Sequence, residues 1–185
     1  MAQGRGFGPP YKSSSLNSLL RLPAVTLPLR SFVAEAYGKP PEIQALACVS
    51  LAQTAAEKLI ALTRRTAMEI AGLSRDIDPA LIRHVYDLHM MRPHVDRDQV
   101  AALAAEIARI DAAEFRNQYP AYASDPAGET RKALMALQTT PIHRSRYDSF
   151  IEAMVYGERP AFDAALGTVE ELVKIVIGRA GGEMG

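Results

Sequence analysis

The alternation of apolar side chains predicts two short strands near the start of the chain. Apolar residues occupy every second position in Val25–Leu29, which is the period expected of a strand. Because Pro28 has no amide hydrogen to donate, this strand should lie at a sheet edge or carry a bulge. A Gly- and Pro-rich turn over 38–41 separates it from a second predicted strand, Ile43–Val49.

About six helices are predicted after these strands. Ser, Thr and Asp favour N-cap positions, and proline is tolerated in the first turn of a helix. The predicted starts are Ser50, Asp78-Pro79, Asp96, Asp125-Pro126, Thr140-Pro141 and, for the last helix, either Thr168 or a continuation from Pro160. The first helix should span residues 51–68, with Gln53 completing a capping box, and the second residues 79–91. The expected fold class is α+β, a small two-strand sheet followed by a helical bundle.

Charge and composition exclude some classes of function. The 185 residues include 21 Lys and Arg and 21 Asp and Glu, so the formal net charge is zero. This balance argues against binding to nucleic acid through bulk charge. No apolar run approaches the roughly 20 residues that span a bilayer. The single cysteine, Cys48, cannot form an internal disulfide, so a reducing, cytoplasmic location is expected.

The two ends of the chain differ from its centre. Residues 1–34 contain no Asp or Glu, and Gly, Pro and Ser dominate the first half of this stretch. We expect a disordered leader over residues 1–23, with a targeting peptide as the alternative. The Gly-rich end should fray, so residues 179–185 are expected to form a disordered tail. The folded part would then span residues 24–178.

Two cations share one line on the first predicted helix. Lys58 and Arg65 are seven residues apart, which at 100° per residue places them within about 20° of each other at the border of the apolar arc. Such a pair can bind an anion such as a phosphate chain. Alternatively, both stems lie over apolar surface and both charges point into water.

The second predicted helix carries charges of both signs. Arg83 and Asp87 are four residues apart and are predicted to pair, in the simplest case as a solvated bridge. His89 falls within the apolar arc and is expected to be a satisfied core residue. Metal-ligand spacing is absent from the remaining histidines and the cysteine, so no zinc site is predicted for His94, His143 and Cys48.

These two charged segments resemble the AbiEii/AbiGii toxin family, which has a nucleotidyltransferase fold and belongs to bacterial abortive-infection toxin–antitoxin pairs. The residues that carry the resemblance are 55–65 (AAEKLIALTRR) and 83–89 (RHVYDLH), and the resemblance covers about residues 24–175. It implies that Lys58 and Arg65 bind nucleotide phosphates. It also implies catalytic roles for Lys58 and Asp87, with Arg83 in support.

The resemblance further implies an NTP and Mg²⁺ as ligands, an acceptor such as tRNA and a cognate antitoxin as partners, and no membrane. In the family, a Gly-Ser turn and an Asp-x-Asp strand precede the basic helix, and those carboxylates hold the Mg²⁺. Residues 1–34 offer no carboxylate. We therefore expect a chain that lacks the N-terminal catalytic part and holds neither NTP nor Mg²⁺ tightly.

Two Asp-x-Asp sequences occur later in the chain, against the family order. In 76–78 and 96–98, the residues Asp78 and Asp96 precede helical segments and are predicted to be N-caps rather than metal ligands. His84 stands where the family has an acid, which removes one further carboxylate.

Two functions stay open at this point. One is a nucleotidyltransferase toxin that is truncated and inactive alone. The other is a non-catalytic helical module that binds an antitoxin or another protein. A truncated sheet would expose its edge and the apolar side of the helix after Ser50, so self-association is expected.

Overall fold

The computed structural model describes residues 22–74 and 78–182, and the chain forms two compact units that divide after Val49. The sequence predicted one folded part over 24–178. The expected leader lies outside the described residues, apart from its last two positions. Residues 183–185 of the expected tail also lie outside them, whereas the last helix includes residues 179–182.

The N-terminal unit contains the two predicted strands, and they pair antiparallel. Strand β1, Val25–Leu29, lies beside β2, Ile43–Cys48. The register shifts between Leu27 and Leu29, which confirms the irregularity predicted at Pro28. All five residues of β1 are exposed. A short helix α1, Phe32–Ala36, follows β1 and is capped by Ser31; the sequence did not predict it, because five residues are too few to show helical periodicity.

The helical unit contains seven α-helices within its described residues, one more than predicted. Their bounds are α2 Leu51–Ile70, α3 Arg83–Met91, α4 Arg97–Glu114, α5 Pro120–Ser124, α6 Pro126–Thr139, α7 Pro141–Met154 and α8 Phe162–Gly182, with a 3-10 turn at Arg92–His94. The additional helix is α5, which again has only five residues. None of the helices that the structure describes is long and apolar enough to cross a bilayer.

Three predicted N-caps form as expected. The Ser50 side chain accepts a hydrogen bond from the Gln53 amide at the start of α2. Asp96 and Asp125 accept amides in the same way at the starts of α4 and α6. Each such cap contributes about 1 kcal/mol, because it satisfies an amide that has no partner within the helix. Thr140 occupies the N-cap position of α7 without a side-chain cap bond.

The helix start predicted at Asp78 is wrong, and the last helix follows one of its two predicted alternatives. The carboxylate of Asp78 accepts the Ala80 amide at 2.8 Å and its carbonyl accepts the Leu81 amide, so Asp78 caps a turn and α3 begins only at Arg83. Asp-Pro favours turns as well as helix starts, so the sequence signal was ambiguous. The last helix begins at Phe162, which supports a continuation from Pro160 and excludes a start at Thr168.

The core of the helical unit is built around the predicted apolar arc of α2. Leu59, Ile60 and Leu62 are buried almost completely, and α2 packs against α3, α4 and α6. The expectation that this side of the helix would be exposed is therefore wrong, because the later helices cover it. Each buried side chain of this size stabilises the fold by about 1.5–3 kcal/mol. The unit thus has its own core, which fixes the faces that α2 and α3 present to each other.

Candidate functional site

Lys58 binds Asp87 across the interface between α2 and α3. The Nζ of Lys58 donates to Oδ2 of Asp87 at 2.7 Å, and Nδ1 of His84 lies 3.9 Å from the same oxygen. The predicted pair of Arg83 with Asp87 is wrong, since Arg83 instead donates through Nε to the carbonyl oxygen of Ala80 at 3.2 Å. Asp87 therefore pairs with Lys58 of the facing helix, and not with Arg83, which is four residues away on α3.

The surroundings of Asp87 keep its carboxylate ionised. Partial burial alone would raise the pKa of Asp87. The nearby His84 ring, the hydrogen bond from Lys58 and the positive charge of Lys58 outweigh burial and hold the pKa of Asp87 below its ordinary value. At neutral pH the side chain is therefore an anion that orients Lys58. His84, three residues before Asp87, thus lies beside it on α3, although no role in binding was predicted for it from the sequence.

Arg65 has its own acidic partner, two helical turns from Lys58. Its Nη2 donates to Oδ2 of Asp78 at 2.9 Å. The pKa of Asp78 is lowered, first by the hydrogen bond from the Ala80 amide and then, against the effect of burial, by the charges of Arg65 and Arg83. Arg83 therefore acts electrostatically on Asp78. Asp78 thus caps the turn before α3 and also neutralises Arg65 of α2.

The two cations thus face the same segment of chain, the turn before α3 and α3 itself. They are about 10 Å apart along the helix axis, and both side chains are long enough to converge on one anion. Their side chains are 28% exposed for Lys58 and 42% exposed for Arg65, so solvent and a ligand can reach them. The alternative in which both charges point only into water does not hold, because each is bound to a carboxylate.

The neighbouring Arg64 forms an ion pair between two helices of the core. Its Nε donates to Oδ2 of Asp111 on α4 at 2.9 Å, and its guanidinium lies 4.0 Å from the ring centroid of Phe115. Both side chains of the ion pair are less than one-fifth exposed. Arg64 therefore ties α2 to α4. The sequence could not separate this structural cation from Arg65, because its partner is 47 positions away.

The remaining histidines give no sign of a metal centre. Nδ1 of His89 lies 3.0 Å from Oγ1 of Thr168 on α8, so the ring has a polar partner as predicted, but His89 is half-buried and not a core residue. In residues 22–74 and 78–182, no group of three His, Cys, Asp or Glu side chains could hold a metal ion.

The carboxylates near the two cations do not fit a magnesium site. Mg²⁺ takes six oxygen ligands in octahedral geometry, several of them waters, with one or two carboxylates. Asp78 and Asp87 lie on separate segments, and each is bound to a cation of α2. Asp96 is used in capping α4, as predicted, while residues 76 and 77 of the other Asp-x-Asp sequence lie outside the described residues.

A family model for the AbiEii nucleotidyl transferase toxin of type IV toxin–antitoxin systems matches residues 14–168. This range includes both strands and the whole α2–α3 segment. The chain therefore belongs to the AbiEii toxin family, which supports a nucleotidyltransferase-type toxin role and suggests an antitoxin partner. Comparisons with curated proteins and with solved structures gave no match.

Proposed function

We propose that Lys58 and Arg65 form the NTP phosphate-binding face of a nucleotidyltransferase toxin that acts in the cytoplasm and transfers a nucleotide to an acceptor such as tRNA. The observation that supports this proposal is the pairing on α2. Two partly exposed cations lie on one side of the helix, and each is neutralised by a single carboxylate. A triphosphate carries more charge than either carboxylate and can replace both.

The acidic partners have a defined part in this proposal. Asp87 and Asp78 hold the two cations in place before the nucleotide arrives, so less side-chain entropy is lost on binding. The planar guanidinium of Arg65 suits bidentate contact with phosphate oxygens, while Lys58 supplies a point charge. Lys58 then stabilises the negative charge that develops on the phosphates in the transition state. Asp87 acts through Lys58 as a positioning residue.

Nucleotidyl transfer would also require magnesium, which would supply positive charge to stabilise the reacting phosphates. The described carboxylates do not fit such a site, so no step of the reaction is assigned to them. For this polypeptide alone we expect NTP binding without transfer. The alternative function is a non-catalytic module that binds an antitoxin or another protein. It is supported by the lack of fit to a magnesium site, because Asp78 and Asp87 are bound to the cations of α2 and do not form a pair of metal ligands.

Radiolabelled NTP tests this proposal in two assays, equilibrium binding and label transfer to tRNA in the presence of Mg²⁺. The chain should bind NTP, and Lys58→Ala and Arg65→Ala should each weaken binding by roughly tenfold, which corresponds to one charge-assisted contact. Lys174→Ala is the matched control, because Lys174 is exposed on α8.

The outcomes separate the two functions. NTP binding that depends on Lys58 and Arg65, without transfer, supports the phosphate-binding proposal. Transfer that Lys58→Ala abolishes would show that this polypeptide is itself an enzyme. Equal NTP binding by both variants and by Lys174→Ala would refute the proposed role of the two cations. Capture of the antitoxin by a chain that binds no NTP would establish the alternative.

A further inference from the structure

A groove with a volume of about 1120 Å³ lies within the helical unit, between α4, the junction of α5 and α6, and the end of α8. Small apolar side chains line its base. They include Ala105, Ala108 and Ala112 of α4, with Val176 and Ile177 of α8 beside them. Alanine leaves this surface open, so a groove remains where larger side chains would have filled the space.

Three arginines line the groove and have no partner in the described part of the chain. Arg109, Arg116 and Arg131 are exposed. The other described arginines of the helical unit all have a partner: Arg64, Arg65, Arg92, Arg97, Arg144, Arg146 and Arg179 are ion-paired, and Arg83 and Arg159 donate to backbone carbonyls. The described arginines of this unit that bind neither an acid nor a backbone carbonyl thus all line one groove.

The charge of the groove is positive but not uniform. Arg179 also lines it and is paired with Asp98 at 2.9 Å. Two acids, Glu106 and Asp125, contribute as well, and Asp125 already accepts the Gly128 amide as the cap of α6. Four arginines against two acids leave an excess of positive charge around an apolar base.

We propose that this groove binds an amphipathic helix of a protein partner, with an apolar stripe on one side and Asp or Glu along both edges of that stripe. Apolar residues at positions i, i+3, i+4 and i+7 of such a helix would cover the alanine base. Acidic residues beside the stripe would pair with Arg109, Arg116 and Arg131. The positive rim would also accelerate association with a negative partner.

Nucleic acid fits the groove less well. Phosphates would pair with the arginines, but covering the apolar base would contribute nothing to binding. Among the described residues, no aromatic side chain lines the groove to stack on a base. Charge complementarity therefore favours an acidic helix from another protein.

A synthetic 18-residue peptide serves as the probe. It has Leu at i, i+3, i+4 and i+7 positions and Glu beside them, and its binding to the full chain is followed by fluorescence anisotropy. A second peptide has Gln in place of every Glu, and tRNA is tested separately. The main variant is Arg109→Glu with Arg116→Glu, and Lys174→Glu is the control, because Lys174 is exposed on α8 and does not line the groove. Ala102→Arg fills the groove while adding positive charge.

The double charge reversal should weaken binding of the acidic peptide by at least about tenfold, and Lys174→Glu should leave binding within about twofold. Ala102→Arg should weaken binding through shape although it adds attraction, and the Gln peptide should bind less tightly. Circular dichroism confirms folding of each variant; if the double reversal does not fold, Arg109→Gln with Arg116→Gln replaces it.

Several results would overturn the proposal. The first two are that the acidic peptide does not bind, and that Lys174→Glu weakens its binding as much as the double reversal does. The other two are that the Gln peptide binds with equal affinity, and that tRNA binds through Arg109 and Arg116 whereas the peptide does not bind. Self-association that disappears on charge reversal would assign the groove to a second copy instead. The phosphate-binding proposal is tested separately, because Lys58→Ala should leave peptide binding unchanged.

Discussion

Replacing Asp87 with asparagine should strengthen triphosphate binding, because Asp87 competes with the anion for Lys58. The Nζ of Lys58 lies 2.7 Å from Oδ2 of Asp87, and about one-third of each side chain is exposed. An incoming phosphate must replace this contact. Asparagine has nearly the same shape and retains an acceptor oxygen, but it carries no charge. The substitution therefore removes the competing anion and leaves the binding face intact.

The solvent exposure of the Lys58–Asp87 pair determines how much affinity the substitution should gain. Exposed ion pairs contribute about 0.2–1 kcal/mol, and removing one partner of a buried pair costs about 3–5 kcal/mol. The pair of Lys58 with Asp87 is closer to the exposed case, so about 1 kcal/mol is a reasonable value, or roughly fivefold in affinity. The loss of repulsion between Asp87 and a phosphate adds to this gain. We expect Asp87→Asn to bind inorganic tripolyphosphate about fivefold to tenfold more tightly.

Isothermal titration with tripolyphosphate at low ionic strength measures this change, since salt would screen the effect. Asp163→Asn is the matched control, because Asp163 also pairs with a cation, Arg144, but its pair joins α7 and α8. The control should leave affinity unchanged. Equal affinities of Asp87→Asn and the control, or weaker binding by Asp87→Asn, would refute the competition between Asp87 and the anion.

Three further substitutions test the physical account of the helical unit. Arg64→Met should lower the free energy of unfolding by about 2 kcal/mol, because Asp111 loses a charged hydrogen bond; urea unfolding measures this, and a change below about 0.5 kcal/mol would contradict it. Tyr122→Phe should be neutral or stabilising by up to about 1 kcal/mol, because the buried Tyr122 hydroxyl has no hydrogen-bond partner among the described residues; a clear loss of thermal stability would reveal a partner. Burial raises the pKa of Glu129, but the hydrogen bond and charge of Lys132 outweigh it and lower the pKa overall. Ionised Glu129 therefore contributes stability above its unfolded pKa of about 4.3, and this contribution is lost as the pH falls through the lower folded value. The deficit of Glu129→Gln relative to the parent chain should thus be larger at pH 7 than at pH 3; urea midpoints that differ equally at both pH values would exclude this linkage.

Local signals in the sequence predicted much of the fold. The period of two in β1, the caps at Ser50, Asp96 and Asp125, and the apolar arc of α2 all depend on residues within one or two turns. Predictions failed where one sequence signal is compatible with two local structures, or where an element is too short to show helical periodicity. Asp78 with its proline resembles a helix start, yet it forms a turn, and a five-residue helix such as α5 contributes only one turn.

The candidate site was harder to predict, because its contacts are long-range. The sequence placed Lys58 and Arg65 on one line, but it assigned Asp87 to Arg83, the neighbour four residues away. In the folded chain, Lys58 is available from the facing helix at 2.7 Å. The arginine groove could not be found from sequence, since its lining comes from three separate stretches of chain that only the fold brings together.

The central claim is that the Lys58 and Arg65 side of α2 recognises the phosphates of a nucleotide. Titration of the parent chain and of the double variant Lys58→Ala/Arg65→Ala with ATP, tripolyphosphate and adenosine tests it most directly. The account predicts that ATP and tripolyphosphate bind the parent chain, that adenosine binds far more weakly, and that the double variant loses both phosphate ligands while it remains folded. Undiminished ATP binding by the folded double variant would contradict it.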